Sequence, residues 1–259
     1  MYFCSISSGS SGNCIYVGSS KSKVLIDIGI SKKSVVDALK LIKVNPKSIS
    51  GVLITHEHLD HYKGADVFCK SYDIPLYLNY STYSVIKHKV SGVRNVNIIE
   101  NTEFSIGGLD IKTFKLPHDA SEPIGYSVIY KGKKISVATD MGYVSDEIFN
   151  NLKDSNVILI ESNYNEELVK MSPYPYFLKD RILSSFGHLS NEDCSNAIVE
   201  LIKNFPKKIV LGHLSCTNNF PELAYQTAKN ILSDNNVELG RDVELTVAHR
   251  NLPSNYMRI

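Results

Sequence analysis

One heptapeptide constrains this chain of 259 residues more than any other stretch. It reads THEHLDH over residues 55–61 and directly follows the apolar run GVLI. His56, His58, Asp60 and His61 thereby place four potential metal ligands at the end of one predicted strand. Burying so much polarity without a partner is strongly unfavourable. Imidazole and carboxylate groups are ligands for Zn²⁺, Mn²⁺ and Fe²⁺, so the heptapeptide predicts a metal site.

The spacing of these four ligands predicts two ions. Residues two apart on an extended chain point to the same side, so His56 and His58 can bind one ion. Asp60 and His61 lie further along and can bind a second. Because one short segment is too cramped to complete two coordination spheres, we expect further ligands from elsewhere in the chain.

Three other polar residues stand where predicted strands run out into loops. They are His118 in KLPHD, Asp140 in VATD and His213 in VLGH. Each alone has an ordinary alternative as a loop residue, a helix cap or a core histidine. Because α/β proteins place their sites where strands end, their shared position favours the ligand interpretation. Thr55 and Glu161 also follow strands and are predicted to support ligands, with a plain structural role as the alternative.

Short apolar runs alternate with helical patterns, which favours a layered α/β fold. Strands are predicted at 14–18, 23–27, 51–55, 109–116, 124–130, 134–140, 156–162, 208–212 and 243–249. Helices are predicted at 31–43, 63–72, 80–89, 145–152, 175–185, 191–204 and 221–233. No linker interrupts the chain, so residues 1–259 are predicted to form one domain. The pattern alone leaves open whether the sheet is doubly wound or forms a two-sheet sandwich.

Composition restricts partners and compartment. The formal net charge is +1, so a nucleic-acid site would have to be a local patch. The five cysteines are widely spaced without a C-x-x-C pair, which is typical of idle thiols in a reducing compartment. The chain begins without a signal-peptide pattern, and its longest apolar runs are strand-sized. These features predict a cytoplasmic protein with no membrane partner.

The tetrapeptide GHLS occurs twice, at residues 187–190 and 212–215. The second copy follows a strand, where His213 suits a metal ligand. The first copy precedes a helix for which Ser190 is the predicted N-cap, in a capping box with Asp193. The positive end of that helix favours a nearby phosphate, so Ser190 is a candidate substrate contact. The loop SSGSSGN, which ends at Asn13, can also approach a phosphate, although a plain hairpin connection is equally compatible.

The motifs LIDIG and THEHLDH, followed in order by His118, Asp140 and His213, resemble the pattern of the metallo-β-lactamase-fold hydrolase superfamily over essentially the whole chain. The resemblance implies an αββα sandwich with a dinuclear metal site. The implied ligands are His56, His58 and His118 for one ion, Asp60, His61 and His213 for the other, and Asp140 as the bridge. It also implies that Asp27 orients the ligand loop from behind.

Such a paired site would activate a metal-bridging hydroxide for attack on an ester, with Asp60 helping to orient it. The sequence differs from the motifs of several branches of the superfamily, and these differences exclude those branches. His61 stands where the commonest true β-lactamases carry Arg, and His58 stands where di-iron oxidoreductases carry Glu. The third motif reads LPHDASEP rather than the glyoxalase II pattern, and the segment between Asp140 and His213 is too short for a β-CASP insertion. The phosphodiesterase and nuclease branch remains.

Within that branch the chain is most similar to the YycJ (WalJ)-like group of bacterial hydrolases. The matching stretches are SSGSSGNC, LIDIGIS, PYPYFLKDRILSSFGHLSNEDC and VAHRNLPS. The resemblance implies an exonuclease acting on DNA in preference to RNA, without an obligate protein partner. It also implies that His188 protonates the leaving oxygen or holds the scissile phosphate. Tyr164 and Asn165 replace a His-Asp pair of this group, which predicts altered rate or specificity.

Two alternatives stay open from the sequence. A small-molecule phosphodiesterase or ester hydrolase could use the same metals, and the near-neutral charge is compatible with it. A binding scaffold without turnover is the other alternative, and the complete ligand set opposes it.

Overall fold

The computed structural model describes residues 1–203 and 207–259. The strands in these residues are β1 (Tyr2–Ser7), β2 (Cys14–Gly18), β3 (Lys23–Ile26), β4 (Gly51–Leu53), β5 (Leu76–Leu78), β6 (Val96–Ile98), β7 (Glu103–Ile106), β8 (Leu109–Lys115), β9 (Ile124–Tyr130), β10 (Lys133–Ala138), β11 (Val157–Glu161), β12 (Lys207–Gly212), β13 (Val243–Val247) and β14 (Ser254–Arg258). The α-helices are α1 (Lys32–Leu41), α2 (Leu59–Tyr62), α3 (Ala65–Tyr72), α4 (Tyr80–Ile86), α5 (Asp146–Leu152), α6 (Glu166–Met171), α7 (Tyr176–Leu183), α8 (Asn191–Leu201) and α9 (Pro221–Asp234).

The strands form two sheets of seven. The order is β14-β1-β2-β3-β4-β5-β6 in the first sheet and β13-β12-β11-β10-β9-β8-β7 in the second. Each sheet changes from antiparallel to parallel pairing partway across, at β3 in the first sheet and at β10 in the second. Strands β3 to β6 and β10 to β13 are therefore the parallel parts of the two sheets.

Three apolar layers hold these sheets together. The middle layer packs the two sheets face to face, for example Phe3 and Leu53 of the first sheet with Tyr126 and Leu159 of the second. Helices α1, α3 and α4 cover the outer face of the first sheet. Helices α5, α8 and α9 cover the outer face of the second. This is an αββα sandwich, which confirms the predicted fold class and decides between the two layered alternatives.

Burial on both faces explains why the central strands read as continuous apolar runs. In β11, Val157 and Leu159 point between the sheets, whereas Ile158 and Ile160 point to the outer helices. The pattern missed β1, β5, β6, β7 and β14, which are short or interrupted by polar residues. It also missed α2 and α6, which are too short to display a helical period. The helix predicted at 191–204 ends at Leu201, and residue 204 lies outside the described residues.

The parallel strands position the polar loops. Residues at or just after the ends of five parallel strands contact one another at one edge of the sandwich. These strands therefore all end at that edge; they are β3, β4, β10, β11 and β12. A hydrogen bond from the Tyr126 hydroxyl to the carbonyl of Ile54, 2.7 Å long, ties the two sheets together beside this edge. Across residues 1–203 and 207–259, no helix combines the length and the apolar character that a membrane crossing requires.

Candidate metal centre

All seven predicted ligands meet at this edge. His56 and His58 lie in the loop after β4, and the short helix α2 carries Asp60 and His61. His118, Asp140 and His213 follow β8, β10 and β12. The sandwich thus brings together residues that the sequence separates by more than 150 positions.

The first ligand group consists of His56, His58 and His118, whose donor atoms lie within 4.8 Å of one another. His118 Nδ1 donates to the carbonyl of Gly187 at 2.9 Å, which leaves Nε2 facing the group, 3.2 Å from His58 Nδ1. His56 Nδ1 lies 3.0 Å from the Thr55 hydroxyl, whereas its Nε2 is buried and has no hydrogen-bond partner. Buried nitrogens are normally satisfied, so this geometry fits a cation between the three rings.

The second group consists of Asp60, His61 and His213, also within 4.8 Å of one another. Asp60 Oδ2 lies 3.5 Å from His61 Nε2 and 3.6 Å from His213 Nε2. His213 Nε2 is likewise buried without a hydrogen-bond partner. The Asp60 side chain is 24% exposed, which makes it the most accessible member of this group.

Asp140 lies between the two groups. Its Oδ2 is 3.2 Å from His61 Nε2, and its Oδ1 is 3.8 Å from His118 Nε2. Oδ1 also lies 3.4 Å from His213 Nδ1, so this one buried carboxylate is close to residues of both groups. This is the geometry expected of a bridging ligand.

Three residues of the site adopt left-handed backbone conformations. The φ angles are 61° for Asp27, 65° for Asp140 and 53° for His213. Such conformations are unfavourable for residues other than glycine, by of order 1–3 kcal/mol each, and they cluster at functional sites. All three follow a strand directly or by one residue, so the strained turn sends each side chain into the site.

Asp27 and Thr55 orient the ligand loop from behind. Thr55 donates to the Asp27 carboxylate through its backbone N–H and its hydroxyl, both at 2.9 Å. His61 Nδ1 donates to the same carboxylate at 2.8 Å. With the proton held at Nδ1, the lone pair of His61 Nε2 is directed at the metal side.

Glu161 orients two histidine rings at once. Its Oε1 accepts from His188 Nδ1 and from His213 Nδ1, each at 2.8 Å, while its Oε2 accepts from the backbone of Met141 at 2.8 Å. Burial opposes the charged form of this carboxyl, but His188 and His213 lower the pKa of Glu161 below its usual range. Glu161 is therefore a buried carboxylate that fixes both imidazoles.

The carboxylates favour positive charge at the second ligand group, whereas burial lowers the pKa of His56 and of His118 in the first group. Burial alone would lower the pKa of His213, yet Asp140, Asp60 and Glu161 raise it to about 10. The pKa of His61 is raised in the same way against its burial, by Asp140 and Asp27. A potential that stabilises imidazolium also attracts a divalent cation.

His188 lies next to the ligands on the solvent side. Its ring centroid is 5.2 Å from that of His118 and 5.4 Å from that of His213. Its side chain is 20% exposed, compared with 1% for His213. Burial would lower the pKa of His188, but Glu161 and Asp140 raise it, which favours a protonated ring.

The two predicted substrate contacts are engaged within the protein. The Asn13 amide nitrogen lies 3.1 Å from His61 Nε2 and 3.4 Å from Asp60 Oδ2, and its Oδ1 accepts from the Gly9 backbone at 2.9 Å. Ser190 Oγ accepts from the backbone of Asp193 at 2.9 Å, which confirms the predicted N-cap of α8. Asn13 thus contacts the ligands, and the Ser190 hydroxyl stabilises a helix.

Sequence reasoning missed two residues near the ligands. Asp119 Oδ1 lies 3.3 Å from His118 Nε2, and its carboxylate pairs with Arg181 of α7. Asn163 donates to the carbonyl of His213 at 2.7 Å and so supports its left-handed turn. Adjacency to His118 could have pointed to Asp119, whereas no local pattern marks Asn163.

Tyr164 and Asn165, the departure from the group pattern, have structural contacts. Tyr164 packs with Val169 and Ile182 in a small apolar cluster under α6 and α7. Asn165 caps α6 by accepting from the backbone of Leu168 at 3.2 Å. The pair therefore supports the segment that precedes His188.

The amino-acid sequence is similar to those of known proteins of one family. The family model described as "Beta-lactamase superfamily domain" matches residues 22–214. The chain is 35% identical to the exodeoxyribonuclease YycJ of Bacillus anthracis, over 98% of this chain and 97% of that protein. It is 38% identical to the exodeoxyribonuclease WalJ of Streptococcus pneumoniae, over 93% of this chain and 91% of that protein.

Solved structures share the fold at much lower identity. The metallo-β-lactamase-fold protein YhfI of Bacillus subtilis superposes with a TM-score of 0.73 at 13% identity, over 98% of this chain and 100% of that one. This likeness supports the sandwich architecture and carries no information on substrate.

Proposed function

Because the chain belongs to the metallo-β-lactamase-fold branch of the β-lactamase superfamily, we propose that this metal-dependent hydrolase is a dinuclear phosphodiesterase that degrades DNA from an end. The observation that carries the proposal is the pair of three-residue ligand groups joined by Asp140. The names of the two exodeoxyribonuclease relatives, which match over nearly the full chain, support DNA as the substrate.

The donor set fits two divalent ions. His56, His58 and His118 would hold one ion, Asp60, His61 and His213 the other, and Asp140 would contact both. Imidazole and carboxylate donors suit Zn²⁺, Mn²⁺ and Fe²⁺. When bound, such ions would polarise a phosphodiester and lower the pKa of a bound water, which would supply the nucleophile.

The residues around the ions would divide the remaining work. Asp60, partly exposed, would accept a hydrogen bond from the attacking water and orient it. His188, held by Glu161 through Nδ1, would donate a proton from Nε2 to the leaving oxygen. Asp27, Thr55 and Glu161 would keep the ligand rings in place.

The proposal also covers the setting of the enzyme. Residues 1–259 would act as one domain, in the cytoplasm, without an obligate protein partner. One observation favours a second candidate, hydrolysis of a small phosphodiester, since a formal net charge of +1 is low for a polyanion-binding protein.

The test uses protein reconstituted with Mn²⁺ or Zn²⁺ and end-labelled single- and double-stranded DNA, beside bis(p-nitrophenyl) phosphate. We expect nucleotides to be released from DNA ends and two equivalents of metal to bind. His58→Ala should lose DNA degradation and bound metal. His88→Ala removes an exposed histidine on the segment after α4 and serves as the matched control.

Three outcomes would contradict parts of the proposal. Cleavage of the small ester with intact DNA would favour the second candidate. Less than one equivalent of bound metal would reject the ligand assignment. Inactivity on every substrate, with metal bound, would point to a binding scaffold.

A further inference from the structure

We propose that Tyr143, Phe177 and Phe186 form an aromatic rim at the mouth of the metal centre, which stacks on unpaired bases at the end of the DNA strand. This inference rests on the proposed function. It identifies unpaired bases as the part of the substrate that the protein would bind away from the metal ions.

Tyr143 and Phe186 lie beside the ligands from two directions. Tyr143 comes three residues after Asp140, and Phe186 comes two residues before His188. Their loops touch, because a Cβ atom placed on Gly142 would lie only 2.3 Å from the carbonyl oxygen of Ser185. The two rings therefore belong to adjacent backbone segments at the edge of the site.

Both segments are also fixed against the first ligand group. The backbone N–H of Gly142 donates to the carbonyl of Pro117 at 2.9 Å, next to His118. The carbonyl of Gly187, next to Phe186, accepts from His118 Nδ1 at 2.9 Å. Tyr143 and Phe186 are thus held at short range from one ligand, His118, on which both loops converge.

Phe177 extends the rim along α7. It precedes Arg181 by four residues, which places both side chains on one face of the helix. Arg181 pairs with Asp119, and Asp119 Oδ1 lies 3.3 Å from His118 Nε2. Phe177 therefore shares its helix face with Arg181, whose partner Asp119 lies next to His118.

The exposure of these rings requires an explanation other than core packing. Tyr143 is 48% exposed, Phe186 57% and Phe177 73%. Grouped apolar exposure next to a polar site is typical of a surface that contacts a ligand. Aromatic side chains bind single-stranded nucleic acid by stacking on bases, whatever the sequence, since every base offers a π face.

Charge favours stacking over phosphate contacts at this rim. Arg181 is paired with Asp119, so its charge is largely balanced. A ring can stack only on a base that is not already paired and stacked within a duplex. We therefore infer that the enzyme acts on single-stranded or frayed ends rather than on blunt paired ends.

The experiment measures KM of the metal-loaded protein for a single-stranded oligodeoxynucleotide and for the same oligonucleotide with abasic residues near the attacked end. The wild type should show a KM about tenfold lower for the strand with bases. Phe186→Ala and Tyr143→Ala should raise KM for that strand about tenfold and remove the difference between the two strands. Tyr256→Ala, at 50% exposure on β14, is the matched control and should leave both KM values unchanged.

Two further variants and one condition sharpen the result. Phe186→Tyr keeps an aromatic ring and should retain the difference in KM between the strand with bases and the abasic strand. Phe186→Leu, which has no ring, should lose that difference. Because the rings do not displace counterions, the dependence of KM on salt should be the same for wild type and Phe186→Ala. Unchanged metal content and melting temperature establish that the variants fold.

The rim is rejected if wild type and Phe186→Ala discriminate equally between the two strands. A merely structural effect of the substitution would raise KM for both strands alike. It is also rejected if blunt duplex ends are degraded faster than single-stranded ends. If the wild type degrades no DNA at all, the proposed function itself fails, and that result differs from failure of the rim alone.

Discussion

The two GHLS loops have the same four residues and different surroundings. Both histidines donate from Nδ1 to the same atom, Glu161 Oε1, at 2.8 Å. Leu189 and Leu214 are both buried in the apolar layer under α8 and α9. The loops thus converge on one buried carboxylate at the end of β11, although the first loop follows the segment after α7 and the second follows β12.

Their serines also perform comparable local work. Ser190 Oγ accepts from the backbone of Asp193 at 2.9 Å and begins α8. Ser215 Oγ accepts from the backbone of Asn218 at 3.1 Å and closes a turn. The repeated tetrapeptide therefore has a shared structural basis, beyond the different contexts that the sequence predicts for it.

The difference between the loops lies in backbone conformation and exposure. His213 has a φ of 53° and a side chain that is 1% exposed, with Nε2 facing Asp60. His188 has a side chain that is 20% exposed. Identical side chains on one acceptor thus differ in exposure, and under the proposed function His213 would bind an ion whereas His188 would meet the substrate.

The largest effect that tests this comparison is expected for His213→Ala. The change removes a buried donor from the second ligand group, so the protein should lose one equivalent of metal and at least 10³-fold in activity, as when an essential catalytic group is removed. Metal analysis together with DNA degradation measures both. Full metal content in this variant would contradict the assignment of His213.

A smaller effect is expected for His188→Ala. It removes the proposed proton donor, so kcat should fall by about 10²–10⁴-fold while the metal content stays at the wild-type level. A substrate with a good leaving group, such as a p-nitrophenyl ester, should recover part of the rate because its leaving oxygen needs no proton. Loss of metal equal to that in His213→Ala would remove the division between the two loops.

The smallest of the three effects is expected for Glu161→Gln. The amide oxygen can still accept, but the negative charge that fixes both rings is gone, so metal affinity or kcat should fall by about 10–100-fold. The loss of charge should also lower the pKa of His188, which the pH dependence of kcat reports as an acidic shift of the descending limb. An unchanged profile with full activity would show that the shared carboxylate has only a structural role.

Several features of the fold could be predicted from local pattern. The apolar runs that became β2, β9 and β11 are buried on both faces, so their residues leave a continuous signal. The heptapeptide after β4 announced a metal site because its polarity has no other explanation in a buried position. The capping box at Ser190 was visible because its two partners are three residues apart.

Other features depend on contacts between distant residues. Edge strands such as β6 and β14 are ordered by pairing with neighbours, and the short helix α2 by backbone hydrogen bonds that Asp60 and His61 accept from Asn13 and Ile28. Asn163 supports His213 from 50 residues away, and Arg181 reaches Asp119 from 62 residues away. No local window of sequence contains such partners.

The sequence by itself determined the ligand types and the strands that precede them, because side-chain chemistry and hydrophobic periodicity are local properties. Only the tertiary structure decided that Glu161 would be shared by both GHLS loops and that the loops next to Tyr143 and Phe186 would touch at Gly142 and Ser185. Those outcomes require two sheets to be packed face to face and their parallel strands to end at one edge. They follow from the free energy of burying whole surfaces, which no single segment carries.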